Sequence, residues 1–113
     1  MSLFKRTPAF EKDYKRLRKK YRSLDGDLEI FEALLEQYPE GTGSKFAILH
    51  RGEEVMIVKA RLACRALRES SLRIIYAYHG SSVTFMYIEL YFKGDQECED
   101  QERIRAFLKT WRE

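Results

Sequence analysis

Two cysteines, two prolines and two histidines are all that 113 residues hold of the side chains that most often mark a staple, a kink or a metal site. Cys64 and Cys98 lie far apart with no CxxC spacing, so no zinc ribbon and no disulfide framework is expected, only ordinary thiols. His50 and His79 have no carboxylate at a fixed spacing and read as surface or strand histidines rather than ligands. Apolar runs stay well short of the ~18 residues of a membrane span, and "MSLFKRTPAF" has no hydrophobic core ahead of its charges. A cytoplasmic protein without a membrane partner is expected. A Gly-rich phosphate loop, a G-x-S-x-G elbow and a Cys/His pair are also missing, as are repeats, linkers and low-complexity segments.

What is present is a core. Apolar residues make up 44% and aromatics 13% of the chain, a globular balance that disordered segments lack. The length suits one domain spanning 1–113. The net charge of +3 hides a segregation: residues 1–22 carry nine Lys or Arg against two acids, and residues 23–40 carry six acids and no base. Residues 41–80 return to seven against three, and residues 81–113 reach five against seven. Basic stretches of this kind steer toward phosphates, within the ~8–10 Å over which salt leaves a field.

The opening "SLFKRT" alternates as a short strand, and Thr7 followed by Pro8 reads as an N-cap with proline at the first helical position. Phe10, Tyr14, Leu17 and Tyr21 then share one helical face, which predicts a helix to about Arg22. Ser23, Asp25 and Asp27 restart a helix over 24–37, with Leu28, Phe31, Leu34, Leu35 and Tyr38 as its apolar face and Pro39 as its stop. A helical hairpin is the expected result. After residue 44 the apolar period falls to two: "KFAILHRG" and "EEVMIVKAR" flank a turn at Gly52, and "LRIIYAYHG" and "SVTFMYIELYFKG" flank one at "HGSS". The tail places Ile104, Phe107, Leu108 and Trp111 on one face of a last helix. The predicted fold class is α+β: an N-terminal strand and helical hairpin packed on a twisted, mainly antiparallel sheet, with helices on one face.

The stretch from Met56 to Gly80 carries Lys59, Arg61, Arg65, Arg68 and Arg73 around the single acid Glu69. It is either a solvated loop or a site for a polyanion. Strand alternation puts Lys59 and Arg61 on one face after Val55 and Ile57, and Arg73 at the head of a strand otherwise built for burial. Strict alternation in the last strand groups Val83, Phe85, Tyr87, Glu89, Tyr91 and Lys93. With neighbouring strands paired, Lys59, Arg61, Arg73, Tyr91 and Lys93 converge on one surface. Arginine offers a planar fork to phosphate oxygens, lysine a proton donor or, with a depressed pKa, a base, and tyrosine a ring for a base to stack on. Arg65 and Arg68, with Lys12, Lys15, Arg16 and Lys19 on the first helix, are further candidate RNA contacts. For the helix, a solvated basic face is the alternative.

Taken in order, "FEKDYKRLRKKYRSL", "VMIVKARLACRAL", "LRIIYAYHG" and "IELYFKGDQE" resemble the RelE/ParE toxin superfamily of bacterial toxin–antitoxin systems over nearly the whole chain. RelE-like members cut messenger RNA in the ribosomal A site by attack of the RNA's own 2′-hydroxyl on the adjacent phosphate, without metal or cofactor, and are neutralised by a cognate antitoxin. The resemblance implies catalytic roles for four residues. Lys59 and Arg61 match the family's K-x-R, where the lysine supports activation of the hydroxyl. Arg73 matches the arginine that holds the scissile phosphate, and Lys93 a basic residue after the last strand that assists the leaving oxygen. Two positions depart from RelE: Ile57 stands where a further lysine precedes the K-x-R, and "GDQECEDQ" follows Lys93 without tyrosine or histidine. ParE-like members poison DNA gyrase and lack the nuclease residues, so a non-enzymatic toxin or a degenerate RNA-binding member is the alternative.

Overall fold

A computed structural model describes residues 3–68 and 70–111, apart from the Trp111 side chain, so the expected place of that ring on the last helix lies outside the described residues. Along the chain the elements are β1 (Phe4–Arg6), α1 (Pro8–Lys20), α2 (Leu24–Gln37), β2 (Phe46–Arg51), β3 (Val55–Ala63), a 3-10 turn (Arg65–Leu67), β4 (Ser71–His79), β5 (Thr84–Phe92) and α3 (Gln101–Trp111). The strands form one mixed sheet in the order β1-β5-β4-β3-β2, with β1 parallel to β5 and the other pairs antiparallel. The fold is a small α+β domain, and among the described residues no helix is long and apolar enough to cross a membrane.

Local chemistry sets the hairpin. The Thr7 hydroxyl accepts from the Phe10 N–H at 3.1 Å, Pro8 opens α1, and Arg18, Lys19 and Lys20 sit in its last turn, where the helix dipole favours cations. The helix stops at Lys20, two residues short of expectation, because Tyr21 turns to extended backbone and buries its ring against Phe92, 6.3 Å between centroids. In α2, Leu24, Leu28, Phe31 and Leu35 are buried, whereas Leu34 and Tyr38 are exposed, so the apolar face covers a narrower stripe than its periodicity suggested. Asp27 is 4% exposed and ties α2 to the turn after β3, accepting from the Ser23 hydroxyl at 2.6 Å and from Arg65 Nε at 3.0 Å.

Helices were expected on one face of the sheet, and they lie on both. Phe10, Leu17, Leu28 and Leu35 of the hairpin pack on Val58, Ala60, Leu72, Ile74 and Tyr76. On the opposite face Ile57, Ile75, Ala77 and Ile88 form a second cluster with Ile104 of α3, against which Phe107 and Leu108 pack. The reason is visible in "VMIV" and "IIYA": continuous apolar runs make a strand apolar on both faces, and both faces need cover.

Strict alternation also fails in β5. Ile75 pairs with Glu89 and Tyr76 with Tyr87, so Ile88 is an extra residue on the β5 side and the register shifts there. Phe85 and Tyr87 face the hairpin, and past the extra residue Leu90 does so as well. Tyr91 therefore lies opposite Arg73 instead of on the hairpin side with Tyr87. The shift is what brings the exit of β5 to the face that carries Lys59 and Arg61. Ile88→Val should cost only about 1 kcal/mol. Deleting Ile88 should cost several times more, since Leu90 and Phe92 would then exchange faces with Glu89 and Tyr91; urea unfolding midpoints of the two variants make the comparison.

Candidate functional site

Where β3 ends, β4 begins and β5 exits, the sheet carries a cleft of about 220 Å³ lined by Lys45, Lys59, Arg61, Arg73 and Lys93, with Phe46, Ala47 and Ala60. The register explains the clustering, because Arg61 lies directly opposite Arg73, and Arg73 opposite Tyr91. All four residues expected from the K-x-R, the β4 arginine and the β5 exit are thus brought together. Lys45 is the one that sequence reasoning missed. It sits just before β2, its carbonyl accepts from the Arg61 N–H at 3.1 Å, and its only signal was its position ahead of a strand that had to pair with β3. Like charges directly opposite one another destabilise a sheet, so five cations around one opening form an arrangement that packing alone would not select.

Each cation is held differently. Arg73 is half-buried, and its Nη1 donates to the Ser71 carbonyl at 3.1 Å and hydroxyl at 2.9 Å, which fixes the guanidinium at the head of its own strand. Arg61, Lys45 and Lys93 are exposed. Lys59 is engaged: its Nζ donates to Glu99 Oε1 at 2.8 Å, the lysine 28% and the glutamate 11% exposed as side chains. The Glu99 hydrogen bond raises the Lys59 pKa against the opposing effect of burial. Burial pushes the Glu99 carboxyl up, and the hydrogen bond and charge of Lys59 outweigh it, leaving a net shift below the ordinary 4.5. Lys59 is therefore a donor and a fixed positive charge. The depressed pKa that a base would need is not what this pairing produces.

Glu99 belongs to the polar segment 94–100, which is anchored to the sheet. Glu89, 2% exposed on β5, accepts from Gln96 Nε2 at 2.6 Å and from the Asp100 N–H at 2.8 Å. Arg103 of α3 reaches Asp13 of α1 at 2.7 Å and the Ile88 carbonyl at 3.0 Å. The segment thus runs across the α3 face with its carboxylate seated on Lys59.

The remaining expected contacts lie elsewhere. Tyr91, expected to offer its ring for stacking, is 2% exposed, and its hydroxyl has no hydrogen-bond partner among the described residues. Burial pushes that phenol up while Lys59 draws it down, so the ring supports the lysine from below and offers no free face. Arg65 is turned to Asp27, and Arg68 is exposed in a turn with φ of 57°. Lys12, Lys15, Arg16 and Lys19 are all exposed, and Lys15 and Lys19 line a broad depression of about 710 Å³ with Arg18, Arg22 and Asp25. It is larger than the cleft but shallow, and its Arg18 is paired with Asp25 at 3.0 Å. Cys64 is buried and Cys98 exposed, both as free thiols, and no group of metal-ligating side chains occurs among the described residues.

No protein-family model and no curated protein sequence matches the chain.

The Lys59–Glu99 pair carries a stability signature. Because the folded state holds the Glu99 carboxylate below its ordinary 4.5, its contribution is complete above that value and is lost as pH falls through the lowered folded one. The wild type should exceed Glu99→Gln by about 1 kcal/mol at neutral pH, and urea midpoints should draw together on acidification through that range.

Proposed function

We propose that the protein is a RelE-like toxin, an endoribonuclease acting on ribosome-bound messenger RNA and neutralised by a partner protein. The observation that carries this reading is the convergence of Lys59, Arg61, Arg73 and Lys93 on one cleft, since these are the residues that the resemblance marks for chemistry. In the reaction, the 2′-oxygen attacks phosphorus, the bond to the 5′-oxygen breaks, and a cyclic phosphate and a free 5′-hydroxyl result. Negative charge grows on the phosphoryl oxygens, where the fork of Arg73 and the charge of Arg61 are placed to meet it. Lys93 lies where it can donate to the leaving oxygen. Lys59 contributes charge and a proton rather than accepting one, given its tie to Glu99.

A non-enzymatic toxin or RNA-binding member is the second reading, and one observation favours it. Lys59 is neutralised by Glu99, and Ile57, at the place of RelE's further lysine, is fully buried under α3. A binding-only protein would tolerate both.

Single-turnover cleavage of a ribosome-bound message separates the two. Preorganised donors aimed at developing charge contribute about 10² to 10³ in rate, so Arg73→Ala should lower the cleavage step by that factor with the melting temperature preserved. Arg16→Ala, on the exposed face of α1, should weaken ribosome association in a salt-dependent way. Equal cleavage by Arg73→Ala and the wild type would transfer the weight to the binding-only reading.

A surface suited to the neutralising partner adjoins the cleft. Ile30, 65% exposed, and Leu34, 36% exposed, line a hollow of about 310 Å³ with Phe31, Phe46, Lys45, Arg61 and Arg65, beside the free edge of β2 with its exposed Ile48 and Leu49. Lys45 and Arg61 line both openings, so an acidic amphipathic segment seated on Ile30 and Leu34 would cover the cleft's rim. Co-expression with the adjacent small reading frame should yield a complex that Leu34→Glu weakens by about tenfold or more, the effect of a charge placed in an apolar interface. Recovery of the toxin alone from wild-type co-expression would count against the assignment.

A further inference from the structure

The segment between β5 and α3 places a carboxylate where a ligand's phosphate would sit. Lys59 lines the basic cleft, yet its ammonium is bonded to Glu99 at 2.8 Å, with the glutamate side chain 11% exposed. The arrangement is built. Two other residues of the same segment, Gln96 and Asp100, are hydrogen-bonded to the buried Glu89, and Gln101 Nε2 donates to Glu99 Oε2 at 3.0 Å, fixing the second oxygen. Next to the pair the buried Tyr91 hydroxyl is left without a partner among the described residues, a costly state for a buried polar group.

From these observations we infer that Glu99 is an internal occupant of the cleft, an acidic stand-in that an anionic ligand must displace before it reaches Lys59. The inference rests on the reading of the cleft as a site for a phosphodiester. A phosphate entering between Arg61, Arg73 and Lys93 meets three cations directly and the fourth only by exchange with a carboxylate. On release, the Lys59 ammonium has three donors to divide between a phosphate oxygen and the Tyr91 hydroxyl, which satisfies the orphan and restores the missing charge to the cleft. The anchors on Glu89 set how far the segment can move: Glu99 swings away while Gln96 and Asp100 stay fixed. Affinity for a polyanion is therefore held below what the cleft's five cations would give.

The test uses binding without chemistry. A fluorescent single-stranded RNA, 2′-O-methylated so that it cannot be cleaved, is titrated against the full chain by anisotropy over a range of salt. Glu99→Gln should bind about 3- to 10-fold tighter than the wild type, the spread expected for freeing one partly buried cation, with a salt slope steeper by about 0.7 because Lys59 then neutralises one more phosphate. Glu97→Gln, an exposed acid of the same segment, controls for the loss of a charge at longer range and should move affinity by less than about twofold. In a Lys59→Met background the gain from Glu99→Gln should vanish. Glu99→Ala repeats the measurement should the amide retain the hydrogen bond. A gain no larger than that of Glu97→Gln, or one that persists without Lys59, overturns the inference while leaving the cleft reading intact. RNA binding that is indifferent to Arg73→Ala and Lys93→Ala removes the cleft reading, and this inference with it.

Discussion

Burial of β4 on both faces and along both edges is the constraint from which the rest follows. Leu72, Ile74 and Tyr76 are covered by the hairpin, Ile75 and Ala77 by α3, and the strand is paired throughout with β3 and β5. A strand so enclosed has no freedom to slip, since a shift of one residue would send every side chain to the wrong layer. Its opening residues, Ser71 to Arg73, are where that enclosure ends. Arg73 thus projects from the most rigid element of the fold at the point where cover stops, with its guanidinium held by the backbone and hydroxyl two residues behind it. A cation placed in this way is oriented before any ligand arrives.

The same rigidity makes a crowd of cations tolerable. Arg61 and Arg73 face each other across a ladder, and Lys45, Lys59 and Lys93 stand around them. Their repulsion opposes folding, while the two apolar clusters and the continuous β3–β4–β5 ladders favour it. The offset is partial and local. One cation of the five is relieved by Glu99, and the acids of residues 94–100 are grouped beside the cleft instead of being spread over the surface. The electrostatics of the site are accordingly a balance between a basic wall and an acidic strap, both fixed to the sheet.

Aromatic packing links this site to the other basic surface. Tyr21 ends α1 by burying its ring against Phe92, one residue before Lys93. The basic last turn of α1 and the exit of β5 are therefore at the same end of the molecule. Arg6 is committed on the other side, lying 4.3 Å from the Tyr14 ring centroid and paired with Glu11, so the positive charge of residues 1–22 is not uniformly available.

The sequence by itself determined the elements and their order. Thr7-Pro8, the 3.6-residue spacing of Phe10, Tyr14 and Leu17, and the change of period after residue 44 are local signals, each a matter of a few neighbouring residues, and the structure follows them closely. It also marked Lys59, Arg61, Arg73 and Lys93, because a cation that interrupts an apolar strand is conspicuous in one dimension. Tertiary structure decided what depends on partners remote in the chain. The extra residue at Ile88 is invisible to alternation, since either phase of "TFMYIELYF" presents apolar side chains, and only pairing with β4 shows where the phase changes. The side of the sheet that α3 covers depends on which face the hairpin left open. The burial of Tyr91 and the seating of Glu99 on Lys59 depend on a chain reversal that spacing does not encode, and that reversal turns a row of cations into a cleft with its own counter-charge.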